Sequence, residues 1–116
     1  MAKTHVLVEF YAGDLWPIDG TLYDSDGVTP LDLTGSPTIE WTIGRADGSR
    51  LLTLTLGAGI TITNVPNAQI RIQVTGAQSA LVPAGLFTDQ LKAVTSAGVP
   101  TTQWEGPIRV KPSLNP

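Results

Sequence analysis

The chain contains no cysteine and one histidine among 116 residues. The first absence removes disulfides, thiolate metal sites and cysteine nucleophiles together. A small secreted domain can fold without disulfides, so the lack of cysteine only tilts the site of synthesis towards the cytoplasm. Basic residues are few, seven against ten acidic, and they are dispersed, giving a net charge of −3. Nucleic-acid binding needs a clustered basic face, so a nucleic-acid partner is not expected. No apolar run approaches the roughly 20 residues of a membrane helix, so no membrane partner is expected. The start, Met1-Ala2-Lys3-Thr4-His5, has no apolar core of a signal peptide. Charged residues amount to 15%, and the helix-favouring Lys, Glu and Arg are scarce, which argues against a solvent-facing helix bundle.

What is present is alternation. Val6, Val8 and Phe10 alternate with His5, Leu7 and Glu9. Ile39, Trp41 and Ile43 alternate with Thr38, Glu40 and Thr42, and Ile70, Ile72 and Val74 with Gln69, Arg71 and Gln73. Similar runs cover Leu51 to Leu56, Ile60 to Ile62 and Ile108 to Lys111. Successive side chains of a strand point to opposite faces, so each run offers one dry and one wet face. Turn residues punctuate the runs, and Asp47-Gly48 marks a hairpin. Such spacing predicts one all-β domain over residues 1–116, a sandwich or barrel. The first few residues and residues 112–116 are expected to be frayed tails. Gly76 to Leu81 is the one helical turn expected, at a crossover on the edge of the sandwich.

Candidate chemistry is thin. His5 sits in a segment expected to fray, where a triad or metal site would lack fixed neighbours. Asp24-Ser25-Asp26-Gly27 opens like a calcium loop, with Asp32 a conceivable third ligand, but no terminal Glu follows. It reads as a turn. No catalytic residue, metal ligand or cofactor site is expected, and the chain is not expected to be an enzyme. One anomaly remains: Asp89 shares the face of Phe87, Leu91 and Ala93. Either a bulge or edge position swings it outwards, or it pairs with Arg45, Arg50 or Arg71, since an unpaired buried charge is costly.

Trp41 lies between Ile39 and Ile43 and is expected in the core. Trp16 before Pro17, and Trp104 before Glu105-Gly106-Pro107, are expected near turns and partly exposed. They would anchor a protein interface or stack on a sugar. The N-terminal run places Leu7 and Tyr11 opposite its other apolar face, so Leu7 and Tyr11 join Trp16 and Trp104 as interface candidates.

The order of elements is specific as a set. Phe10-Tyr11-Ala12-Gly13-Asp14 precedes Pro17-Ile18 and Gly20-Thr21-Leu22. Leu31-Asp32-Leu33-Thr34-Gly35 leads into Ile39 to Ile43. Leu81-Val82-Pro83-Ala84-Gly85-Leu86-Phe87 and Glu105-Gly106-Pro107-Ile108-Arg109-Val110 follow. From about Glu9 to Lys111 this resembles the N-terminal Ig-like domain of phage baseplate upper proteins and of short phage tail proteins. Phe87 stands where that family tends to have Tyr. The resemblance implies an Ig-like antiparallel β-sandwich of about 7–9 strands in a tailed-phage virion, synthesised in the host cytoplasm. It implies a tail or baseplate adaptor or connector, meeting other virion proteins as a trimer or hexamer. The family domain usually continues into a receptor-binding region, which favours a connector here. A capsid decoration or head-fibre protein is the structural alternative, and a carbohydrate-binding module the alternative of another class. Gly35 and Gly85, each beside a strand start, and Phe87 carry folding roles, as does Trp41.

Overall fold

In Gln69–Val74, Gln69, Arg71 and Gln73 are exposed while Ile70, Ile72 and Val74 are buried. The same alternation runs through Thr38–Gly44, whereas Arg50–Leu56 is half-buried along most of its length. The protein is described by a computed structural model covering residues 3–114. In chain order the strands are β1 (Lys3–Thr4), β2 (Val8–Tyr11), β3 (Trp16–Thr21), β4 (Thr38–Gly44), β5 (Arg50–Leu56), β6 (Gly59–Asn64), β7 (Gln69–Val74), β8 (Gly85–Val94) and β9 (Pro100–Lys111). The helical turn α1 (Gly76–Ser79) lies between β7 and β8, with Thr75 and Gln78 satisfying each other's backbone N–H in a capping box.

The hydrogen-bonded order is β1-β9-β8-β4-β5-β6-β7-β3, with β2 also on β9. β5 and β6 share two register pairs, Thr55–Gly59 and Leu56–Ile60, and there the order folds back into two layers. One layer holds β5, β4, β8 and β9 with the N-terminal strands, and the other holds β6, β7 and β3. This is an Ig-like sandwich. The pairing is not wholly antiparallel as expected, because β1 and β2 run parallel to β9 and the short β5–β6 register is parallel too. The first two strands and the last thus lie along the same edge and run in the same direction.

The core lies between the layers, where Trp16, Trp41, Ile39, Ile72, Leu91 and Ile108 are fully buried. Trp41 and Phe87 are buried as expected. Gly35 turns at φ 77° before β4, and Gly85 opens β8 at φ 154°. Two expectations at the N-terminus need correction. Val6 is 84% exposed rather than facing inwards with Val8 and Phe10. Five residues from Thr4 to Val8 oppose four from Glu105 to Ile108, and this bulge resets the alternation. The N-terminal segment is also paired from Lys3 onwards, not frayed. The tail expectations at residues 1–2 and 115–116 lie outside the described residues.

Candidate binding cleft and its buried carboxylate

Asp89 sits in the middle of β8, opposite Gly106 of β9 and Ile43 of β4. Strand parity turns it inwards with Phe87 and Leu91, and only 4% of it is exposed. Neither proposed escape is taken: it is not swung outwards, and no arginine reaches it. Its Oδ2 accepts the indole N–H of Trp41 at 2.7 Å and of Trp104 at 3.1 Å. Its Oδ1 pairs with Nε2 of His5. Hydrogen bonds to the charged form are what make a buried carboxylate tolerable. Among the described residues no buried side-chain nitrogen or oxygen lacks a partner.

His5 reaches Asp89 because β1 lies against β9 and the bulge turns the ring inwards over Gly106. A Cβ at Gly106 would stand 2.6 Å from three ring atoms, so only glycine leaves the ring its place. The other ring nitrogen, Nδ1, lies 2.7 Å from the Val6 carbonyl oxygen. Burial pushes the His5 pKa down, but the bonds to Val6 and Asp89 and the charge of Asp89 outweigh it, leaving it raised above 6.5. His5 is therefore half-buried and fixed, not the free surface residue expected.

Trp104 crosses from β9 to β3 and packs its ring on Gly20, where a Cβ would meet ring carbons at 2.6 Å. Trp16 is wholly buried, stacked on Phe10 with ring centroids 5.1 Å apart, its indole N–H donating to the Tyr11 carbonyl at 2.8 Å. It cannot anchor an interface or hold a sugar, which corrects that expectation. Pro17 places the next residues on an edge strand, and strand parity then turns Trp16 inwards. Leu7 and Tyr11 are exposed, at 40% and 50%, and Lys111 lies 5.4 Å from the Tyr11 ring centroid.

Between β3 and the N-terminal strands opens a cleft of about 470 Å³. Val8, Phe10, Ile18 and Ile108 form its apolar walls, and Trp104, His5 and Asp89 its floor. Along its rim runs an unpaired strand edge. Leu22 N–H donates to the Ala68 carbonyl at 2.9 Å, so in the β3–β7 register the Leu22 N–H points towards the β7 side. Alternate residues do the same, so the backbone groups of Pro17, Asp19 and Thr21 point away from β7. Pro17, which has no N–H to donate, falls on that free side. At the next outward position, Gln103 stands in for a strand, accepting from Tyr23 N–H at 2.9 Å and donating to its carbonyl at 3.0 Å. Asp19 and Thr21 are left as an open edge beside the cleft. The Asp19 side chain pairs across the ladder with Arg71 at 2.8 Å.

Elsewhere the chemistry is local. Asp26 accepts from Val28 and Thr29 backbone N–H, each at 2.8 Å, and from the Thr29 hydroxyl at 2.5 Å. The Thr29 hydroxyl bond leads the effects that hold the Asp26 carboxyl below the ordinary range. Asp32 accepts in the same way from Thr34. The loop carboxylates hold their own turns. A polar basin on the outer face of β4, β5 and β8 is lined by exposed groups such as Arg50 and Glu40, which pair at 3.4 Å.

No family model matches the chain, and no curated protein matches it. Among solved structures it is similar to the crystal structure of CopC from Methylosinus trichosporium OB3b. The identity is 12%, the match covers 100% of this chain and 90% of that one, and the TM-score is 0.49. The expectation of a tailed-phage virion protein is corrected accordingly. Neither family models nor curated proteins match, and the solved structure named above is a CopC, not a phage component. A tail or baseplate adaptor, a capsid decoration protein and a sugar-binding module are all set aside. At this level of likeness CopC assigns no ligand or activity to the chain.

Proposed function

We propose that this chain is a non-catalytic protein-binding module that takes an extended segment of a partner into the cleft beside β3. The carrying observation is the meeting of two features: a free backbone edge at Asp19 and Thr21, and an apolar cleft directly below it. Strand addition uses that combination, with main-chain hydrogen bonds for affinity and alternate side chains in pockets for specificity. A small apolar ligand would use the cleft and ignore the edge. A binding role rather than a catalytic one is supported by the engagement of the one histidine: its ring nitrogens face the Val6 carbonyl and Asp89 Oδ1, while Asp89 Oδ2 takes the two indoles.

The test is selection from a yeast-displayed library of extended peptides, followed by affinity measurements on the wild-type chain and on Thr21→Pro. Proline at Thr21 removes an outward N–H that the fold does not use. Peptides with alternating apolar residues should emerge, and Thr21→Pro should weaken them by about tenfold or more, the worth of one or two lost hydrogen bonds. An empty selection, or unchanged affinity in Thr21→Pro, overturns the proposal. Self-association into a homo-oligomer is a second reading, favoured by the exposure of Leu7, just before the edge strand β2, and of Tyr11 at its end. Light scattering at micromolar concentration decides it, and a clean monomer removes it.

A further inference from the structure

The N-terminal strand is held to the fold by few ties. β1 makes two register pairs with β9, and the His5 N–H donates to the Glu105 carbonyl at 3.3 Å. Val6 and Leu7 beside it are exposed. The side chain that enters the interior from this segment is His5, and it meets Asp89, a group on the far side of β9 in the sheet order. Thr4, His5, Val8 and Phe10 also line the cleft, so whatever fixes this segment fixes one wall of that site.

The two ring nitrogens face two acceptors, the Val6 carbonyl and the Asp89 carboxylate. Only the doubly protonated imidazolium can donate to both. A neutral ring must abandon one of them, either freeing its own backbone anchor or leaving Asp89 to its two indoles. We propose that the His5–Asp89 pair is a pH-operated latch that holds the N-terminal strand against the cleft while the ring is protonated and releases it when the ring is neutral. That release admits a partner strand rests on the binding function proposed above. The latch itself does not depend on it.

Asp89 from β8 faces the ring directly. Asp19 of β3 stands across the cleft, paired with Arg71 of β7. Glu105 of β9 takes a bond from Gln90, and Glu9, on the N-terminal segment itself, pairs with Lys111. Trp41 of β4 and Trp104 of β9 contribute neutral donors. None of these is another imidazole, since the chain has one histidine. The direction of the effect follows from the raised His5 pKa. The latch contributes fully below about pH 6.5, the ordinary imidazole value, and is lost as pH rises through the higher folded value.

A single histidine makes the measurement direct, because its ring carbon resonance reports His5 alone. NMR of the free protein between about pH 5 and 9 gives the ring midpoint and the hydrogen-exchange protection of each amide, corrected for intrinsic rates. The midpoint should lie above 6.5, and protection at Thr4, His5 and Val8 should fall by about tenfold across it. Amides of β4 and β7 should hold, and His5→Gln, which can still donate to Asp89, should show no pH step. A midpoint at or below 6.5, or protection that ignores the midpoint, overturns the latch. Repeating the affinity measurement with a selected peptide on either side of the midpoint separates the two proposals. Equal affinity on both sides overturns the gating, whereas no binding at either pH overturns the binding function and leaves the exchange result standing.

Discussion

The two long sides of the sandwich are closed by different means. On one, β5 passes into β6 through Gly57 and Ala58, and backbone bonds bridge the passage: Thr55 with Ala58 at 3.2 and 2.9 Å, and Gly57 to Ile60 at 3.0 Å. On the other, β3 and the N-terminal strands face each other without a shared ladder. Side chains of β9 span the gap, Trp104 against Gly20 and Gln103 on Tyr23, and His5 pairs with Asp89 within the β9 layer. Backbone closure satisfies its own polar groups and leaves no room. Side-chain closure leaves a cleft, an unpaired edge and a buried charge that needs three donors. The second side is where this molecule can meet something else.

The largest expected effect falls on the side closed by side chains. Trp41→Ala empties a fully buried site and removes one of the donors to Asp89, and it should cost about 3–5 kcal/mol in denaturant melts. A loss below about 1 kcal/mol, the range of a surface substitution, would place Trp41 outside the core. Proline sharpens the contrast between a paired strand and an edge. Ile72→Pro removes an N–H directed at β3 from the inner strand β7 and should cost about 3 kcal/mol or more. Thr21→Pro, with its N–H on the free side, should cost under about 1 kcal/mol. Similar losses in the two variants would mean that the β3 edge is not free. Gly20→Ala should cost about 1–3 kcal/mol, because its Cβ overlaps the Trp104 ring. A neutral result there would show that Trp104 gives way easily and that the cleft has no fixed floor.

Most of the fold was legible because period-two patterns survive translation into strands, as in Ile70, Ile72 and Val74. β3 was not, since Pro17 and Gly20 interrupt the pattern of Trp16, Ile18 and Leu22 that its parity creates. The inward turn of Asp89 was legible from parity, but its partners were not. Two of the three donors are indoles, which sequence reasoning assigned to apolar or surface roles. The third is His5, whose position depends on a parallel pairing with the far end of the chain and on a one-residue bulge. Neither leaves a local signature. The burial of Trp16 was missed for the same reason as β3. Gln103 carried no signal at all, because a carboxamide that mimics a strand is recognisable only beside the edge it caps.

The most direct test of the account is a backbone NMR titration of the wild-type chain with a peptide selected for binding. The account predicts amide shifts at Asp19 and Thr21, a shift of the Trp104 indole N–H, and cross-strand contacts between peptide Hα protons and β3. The Gly57–Ala58 side should stay unmoved. Shifts confined to the β5–β6 side or to the outer face of β4, β5 and β8, with β3 silent, would contradict it.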